Sequence, residues 1–164
     1  MKRKTFTDLV AEHAKEVEEV FPWDLVDEME SSSDIMLLDV RCPSEFDAVH
    51  IEGSINVPRG ILETACDYGY EETVPLLVEA RQRRIAVVCR SGNRSVLAAY
   101  TLKQLGYEAP VSLKTGLRGW NDYEQPLVDK TGTPISADDA EEILTAHITP
   151  EQLGPKKTQA PNVQ

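Results

Sequence analysis

Short, wholly apolar runs alternate along this chain with longer stretches in which apolar residues recur every three or four positions. Behind Thr7, which can cap a helix, Leu9, Val10, His13, Val17, Val20 and Phe21 fall at helical spacing. Residues 1–21 are therefore expected to form an N-terminal helix packed on the body of the protein. Pro22 suits the first turn of a second helix that runs to Met29 and stops at Ser31-Ser32-Ser33. Ile35 to Leu38 reads as a buried strand ending at Asp39-Val40-Arg41, Pro43 to Ala48 as one or two helical turns, and Ile55 to Val57 as a short strand stopped by Pro58. Gly60 to Arg84 is expected to be mainly helical, with an acidic middle at Glu71 and Glu72. Ile85 to Val88 is apolar throughout, as a parallel strand covered on both faces should be. Leu97, Ala98, Thr101, Leu102 and Leu105 share one face of the helix that follows, and Gly106 is placed to end it. Val111 to Leu113 makes a fourth strand. Strands alternating with helices predict an α/β domain around a mostly parallel sheet.

The pattern changes past Val128. Thr131-Gly132-Thr133-Pro134 breaks the chain, Asp138 to Ala146 is a short acidic amphipathic piece, and Thr149 to Gln164 is polar and proline-bearing. Residues 129–164 are expected to be a largely disordered extension, a solvated terminus rather than a docking peptide.

At 164 residues the chain suits one domain able to bury a core without disulfides or metals. The net charge of −11 argues against nucleic acid or an anionic membrane as a general partner, since both are held by basic patches. No apolar run is long enough to span a bilayer, and charges interrupt the N-terminus before a secretory core forms. Cys42, Cys66 and Cys89 are an odd number with no CxxC, which suits free thiols in a reducing cytosol, so a cytoplasmic protein is expected. His13, His50 and His147 are scattered without metal-ligand spacing, and no cofactor is implied.

One thiol stands out. Cys89 closes the apolar run Ile85–Val88 and is followed by Arg90-Ser91-Gly92-Asn93-Arg94-Ser95, which leads into a helix. Open α/β sheets place their ligand crevice at the carboxyl ends of their strands. Gly92 is free to take a positive φ, and a tight loop entering a helix can aim several backbone N–H groups at one point. The helix dipole, Arg90 and Arg94 add positive charge there, and together they favour thiolate over thiol. They equally favour an anionic substrate or an anionic sulfur adduct. Cys42 and Cys66 lack such a loop and read as small, buried apolar residues.

"CRSGNRS" resembles the active loop of rhodanese-like sulfurtransferases. "LLDVRCPSEFDAVHIEGSINVPRG", Leu37 to Gly60, is similar to the first signature of that family, and "LKTGLRGW", Leu113 to Trp120, to its closing one. The three blocks stand in the family's order, which puts a rhodanese-like domain at 22–128. The resemblance implies a small, mostly parallel central sheet flanked by helices on both faces. It also implies a double displacement. By that resemblance Cys89 would take the outer sulfur of a small anionic donor such as thiosulfate, become a persulfide, and pass that sulfur to cyanide in vitro or to a thiol or protein acceptor. The loop from Arg90 through Ser91, Gly92, Asn93 and Arg94 to Ser95 would bind the donor and stabilise the sulfur anion.

Asp39 and Arg41 are read as structural, with Glu45 four residues on as a partner for Arg41. His50 matches a scaffold position and is not expected to act as a base. Val49 replaces the family's usual glycine, so the turn there should either differ slightly or have no need of a positive φ. Two rivals remain. A persulfide carrier or regulatory module docking on a partner protein would share the first half-reaction. Cysteine-dependent phosphatases and arsenate reductases need a longer loop, because the phosphatase arginine comes one residue later than Arg94 does here.

Overall fold

A computed structural model gives the fold for residues 1–32 and 34–155. Five parallel strands form the sheet: β1 (Glu18–Val20), β2 (Met36–Asp39), β3 (Ile55–Asn56), β4 (Arg84–Val88) and β5 (Ala109–Leu113), in the order β1-β5-β4-β2-β3. Side chains alternate across a strand, so β4 sends Ile85, Val87 and then Cys89 to one face, and Ala86 and Val88 to the other. On the first face they meet Leu38, Val40 and the helix α6 (Asn93–Gln104), through Ala98, Ala99 and Leu102. On the second they meet α2 (Pro22–Ser31) and α7 (Gly116–Asp122), through Leu25, Leu117 and Trp120. Each fully buried leucine, such as Leu38, is worth about 2–3 kcal/mol. This is the predicted α/β sheet with helices on both faces, and β4 at its centre carries Cys89.

Three expectations are corrected. The N-terminal helix does not reach Phe21: α1 is Phe6–Ala14, capped by Thr5 rather than Thr7, and Thr5 and Asp8 bond each other's backbone N–H. Val17 and Val20 belong instead to the approach and end of β1, which pairs with β5 from Glu18↔Val111 to Val20↔Leu113. Apolar spacing over so few residues cannot separate helix from edge strand, and the free edge of β5 decided it. Between Gly60 and Arg84 the chain makes a 3-10 turn at Arg59–Ile61 and two short helices, α4 (Leu62–Ala65) and α5 (Pro75–Val78). Gly69 at φ 97 and Pro75 separate them.

The region after Val128 is more ordered than its composition suggested. Strands β6 (Leu127–Val128) and β7 (Pro134–Ile135) pair antiparallel, and α8 (Ala137–Leu144) buries Ala140 and Leu144 in the α7 cluster. Ser136 caps α8 by accepting from Asp139 N, and Asn121 Nδ2 donates to Ala137 O. A short capped helix, α9 (Pro150–Leu153), follows. Ser33 and residues 156–164, which share the predicted serine stop and disordered tail, lie outside the described residues.

Candidate active site

Cys89 leaves β4 at its carboxyl end and is 1% exposed. Gly92 makes the turn into α6 possible with φ 90 and ψ 4. A side chain there would also meet Thr115 N at 2.9 Å and Leu113 O at 3.2 Å, so the position suits glycine twice over. No side chain caps α6, which leaves its first-turn amides open at the end that faces the thiol. Two amides reach it: Gly92 N at 3.1 Å and Ser95 N at 3.3 Å from Cys89 Sγ.

A third contact is the Ser95 hydroxyl, 3.3 Å from Sγ, and behind it Ser112 Oγ lies 2.7 Å from Ser95 Oγ. As a thiol, the sulfur can donate to Ser95 Oγ. As a thiolate it can accept from that hydroxyl, with Ser112 donating in turn. Ser112 sits on β5, fully buried, and was missed in the sequence. Its one signal was a hydroxyl interrupting an otherwise apolar strand.

The loop is braced from the start of α7. Leu117 N donates to Cys89 O at 2.9 Å and Arg118 N to Arg90 O at 3.0 Å, so the start of α7 grips the carbonyls on either side of the thiol's exit. Gly116, at φ 61, permits this approach: a Cβ there would stand 2.5 Å from Cys89 O. The "TGLRGW" block thus holds the active loop in place, a role its residue types do not announce.

Of the loop cations, Arg94 is already paired. Its guanidinium donates Nη1 to Glu45 Oε2 and Nη2 to Glu45 Oε1, both at 2.9 Å. This corrects the expected Arg41–Glu45 pair. Arg41 is buried and bonds Asp39 (Nη2 to Oδ2, 2.8 Å) and Val49 O (2.5 Å), which leaves Glu45 to the loop. Arg90 is half-buried, and among the described residues it has no carboxylate within ion-pair distance. Ser91 is exposed and Asn93 half-buried at the first position of α6.

The Arg94 guanidinium, and next the Cys42 backbone N–H, pull the Glu45 carboxyl down from 4.5 to about 2. A depressed folded pKa stabilises the protein above the unfolded value and loses that contribution as pH falls towards the folded one. Glu45→Gln is therefore expected to lower stability at neutral pH by about 1 kcal/mol or less, as for a half-exposed pair. The gap to wild type should close between pH 4.5 and about 2, measured by urea midpoints across that range. A gap constant with pH would detach the carboxylate's charge from the effect.

The remaining residues take structural places. His50 Nδ1 lies 2.7 Å from Phe46 O with its ring stacked on Phe46, and its backbone bridges Val128. Val49 is buried with an extended φ of −160, so no glycine is needed. Cys66 is buried beside Tyr107, and burial pushes its thiol up. Cys42 is exposed, contrary to its expected burial, because it precedes α3 (Pro43–Ala48) at the rim of the sheet rather than inside a strand. A cavity of about 280 Å³ lined by Val26, Met29, Ile51 and Trp120 borders the opposite face of the sheet from the thiol. Among the described residues no cluster of His, Cys, Asp or Glu could hold a metal ion, and no helix is long and apolar enough to cross a membrane.

Residues 22–123 match the Rhodanese-like domain family. The chain is 30% identical over 125 residues to the probable adenylyltransferase/sulfurtransferase MoeZ of Mycobacterium tuberculosis, covering 74% of this chain and 30% of that protein. It is 27% identical to the putative sulfur carrier protein YrkF of Bacillus subtilis, covering 67% of this chain and 54% of that one. It thus spans about a third to a half of the length of these relatives. Among solved structures, a Rhodopseudomonas palustris protein of unknown function, described as a possible tyrosine phosphatase, superposes with a TM-score of 0.68 at 26% identity. That match covers 77% of this chain and 96% of the other. The polysulfide-sulfur transferase homodimer of Wolinella succinogenes superposes with a TM-score of 0.58 at 25% identity, covering 76% and 87%.

Proposed function

The chain belongs to the Rhodanese-like domain family, and on that footing we propose that it is a sulfurtransferase that carries sulfane sulfur as a persulfide on Cys89. The Cys89 thiolate attacks the outer sulfur of a donor such as thiosulfate. A new S–S bond forms, the bond to the sulfonate sulfur breaks, and sulfite leaves with the electron pair. A thiophilic acceptor then attacks the outer sulfur of the persulfide, takes it, and returns Cys89 to thiolate.

The observation that carries this reading is the convergence on Cys89 Sγ of two amides and the Ser95 hydroxyl, at 3.1–3.3 Å. Donors fixed before reaction need no reorganisation when charge returns to the sulfur, and in a site closed to water each is worth more than in solution. Arg90, without an ion-pair partner among the described residues, is the cation left to draw in an anionic donor. Arg94 acts through Glu45 to hold α6 and α3 together. A phosphoryl-transfer reading, which the Rhodopseudomonas likeness invites, is disfavoured by the same pairing: the arginine that would grip phosphoryl oxygens is engaged, and the loop is one residue short. A sulfur carrier, as the Bacillus relative is named, would share the loading step and differ in its acceptor.

Incubation of the protein with thiosulfate, read by intact mass and then by thiocyanate release on adding cyanide, tests the reading. The expected result is one added sulfur atom per chain and stoichiometric thiocyanate. A chain that stays unmodified with thiosulfate and polysulfide, yet hydrolyses an aryl phosphate, would reverse the order of the two readings.

A further inference from the structure

Three buried polar atoms, Cys89 Sγ, Ser95 Oγ and Ser112 Oγ, form a chain that ends in the core. Ser112 interrupts the apolar strand β5 between Val111 and Leu113, and both serines are fully buried. Resting on the persulfide reading above, we propose that Ser112 is a positioning residue, which donates to Ser95 Oγ and so turns the Ser95 proton onto the Cys89 thiolate. Ser112 Oγ stands 2.7 Å from Ser95 Oγ, which stands 3.3 Å from Cys89 Sγ. Among the described residues, Ser112 Oγ has no other hydrogen-bond partner. The protons can be counted. Two links join the three atoms, and the thiolate form carries two protons, one for each link. The thiol form carries three, so one of them finds no acceptor within the chain. If Ser112 accepted from Ser95 instead, its own proton would point into the core beside Val87, its register neighbour on β4, and the thiolate would lose the Ser95 hydroxyl. Donation by Ser112 also polarises the Ser95 hydroxyl and strengthens its bond to an anion.

The Cys89 thiolate enters turnover twice, as the nucleophile that cleaves the donor and as the leaving group when the acceptor takes the sulfur. Hydrogen bonds that stabilise a thiolate make it a weaker nucleophile and a faster leaving group. The Ser112–Ser95 pair therefore favours discharge of the persulfide. As the S–S bond breaks and its electron pair returns to Cys89, the hydroxyl that receives the charge is already aimed at the sulfur. The charged groups around the site are bound to one another. Arg94 of α6 is held by Glu45 of α3, Asp39 of β2 by Arg41, and Glu19 of β1, in register with Ser112, by Lys114 at 3.6 Å. Arg90 lies on the loop and the exposed Cys42 thiol before α3, while β5 carries no charge from Ala109 to Leu113. Replacing Ser112 by alanine thus removes one hydroxyl and leaves each of these groups in place.

The test follows the full chain through two rates. Alkylation by iodoacetamide, mapped to Cys89 by peptide mass, reads the thiolate against pH. Thiocyanate release from the thiosulfate-loaded chain on adding cyanide reads discharge. In Ser112→Ala the alkylation profile should move up by about half a pH unit or more. Its high-pH plateau should rise about twofold, while discharge slows at least about threefold. In Ser95→Ala, which removes the middle of the chain, adding Ser112→Ala should change neither reading further. An effect of Ser112→Ala that persists undiminished in Ser95→Ala overturns the proposal, because Ser112 would not act through Ser95. Slowing of both rates together overturns it as well, since loosened packing has that result. An unshifted profile with wild-type discharge overturns it and leaves the sulfurtransferase reading intact. A wild-type chain that alkylates at Cys89 but never loads sulfur removes both.

Discussion

Replacing Cys89 by serine is expected to stop sulfur loading and to lower the rate of thiocyanate formation by at least about 10⁴-fold, as removal of a covalent nucleophile does. A serine hydroxyl stays protonated at neutral pH and forms no stable bond to sulfur, so neither half-reaction can start. The fold should be indifferent. The residue is 1% exposed, but its hydrogen-bond ring of Gly92 N, Ser95 N and Ser95 Oγ suits an oxygen as well as a sulfur. A buried hydroxyl with partners costs little, so the urea midpoint should move by no more than about 1 kcal/mol equivalent. Activity and unfolding measured on the same preparation separate the two effects. Turnover within tenfold of wild type would mean that the nucleophile lies elsewhere.

Asp39→Asn should have the opposite signature, a large loss of stability of about 3–5 kcal/mol from breaking a buried ion pair by one partner. Asp39 and Arg41 are each 1% exposed. Asp39 Oδ1 accepts from Arg41 Nε and from the Arg41 backbone N–H, both at 3.0 Å, and Oδ2 accepts from Arg41 Nη2 at 2.8 Å. Asparagine keeps the shape, removes the charge and leaves the guanidinium buried and uncompensated. The pair also ties the end of β2 to Val49 O, and Asn56 Nδ2 closes the same corner by donating to Asp39 O and Arg41 O. Equilibrium urea unfolding measures the loss. By contrast, removing the exposed Lys4–Glu12 pair should leave the unfolding midpoint nearly unchanged, because both groups are screened by solvent. A loss for Asp39→Asn as small as that would mean the buried pair is dispensable.

The strands and the loop proposed to carry the nucleophile were legible before any coordinates. Ile35 to Leu38 is a short apolar run between Asp34 and Asp39, and Ile85 to Val88 another between Arg84 and the Cys89 loop, and a chain cannot leave such runs in water. The Cys89 loop was legible for a related reason: glycine at a turn and a cysteine among arginines are local requirements, met within a few residues. Sequence failed where the partner lay far along the chain. Val17 to Val20 has the spacing of a helix, and only the open edge of β5 made it a strand. Ala140 and Leu144 are too few to fold alone, and Trp120 and Leu117 gave them something to pack on. Glu45 stands at ideal spacing from Arg41, yet the sheet buried Arg41 on Asp39 and left the carboxylate to Arg94.

By itself, then, the sequence determined the alternation of strands and helices, the place of the Cys89 loop and the family to which the chain belongs. Those depend on side chains adjacent in the chain. Tertiary structure alone decided that Ser112 backs Ser95, that α7 grips the carbonyls of Cys89 and Arg90, and that Cys42 is exposed while Cys89 is buried. Each of those depends on strands distant in sequence lying side by side about 4.8 Å apart, a proximity that no local pattern of residues encodes.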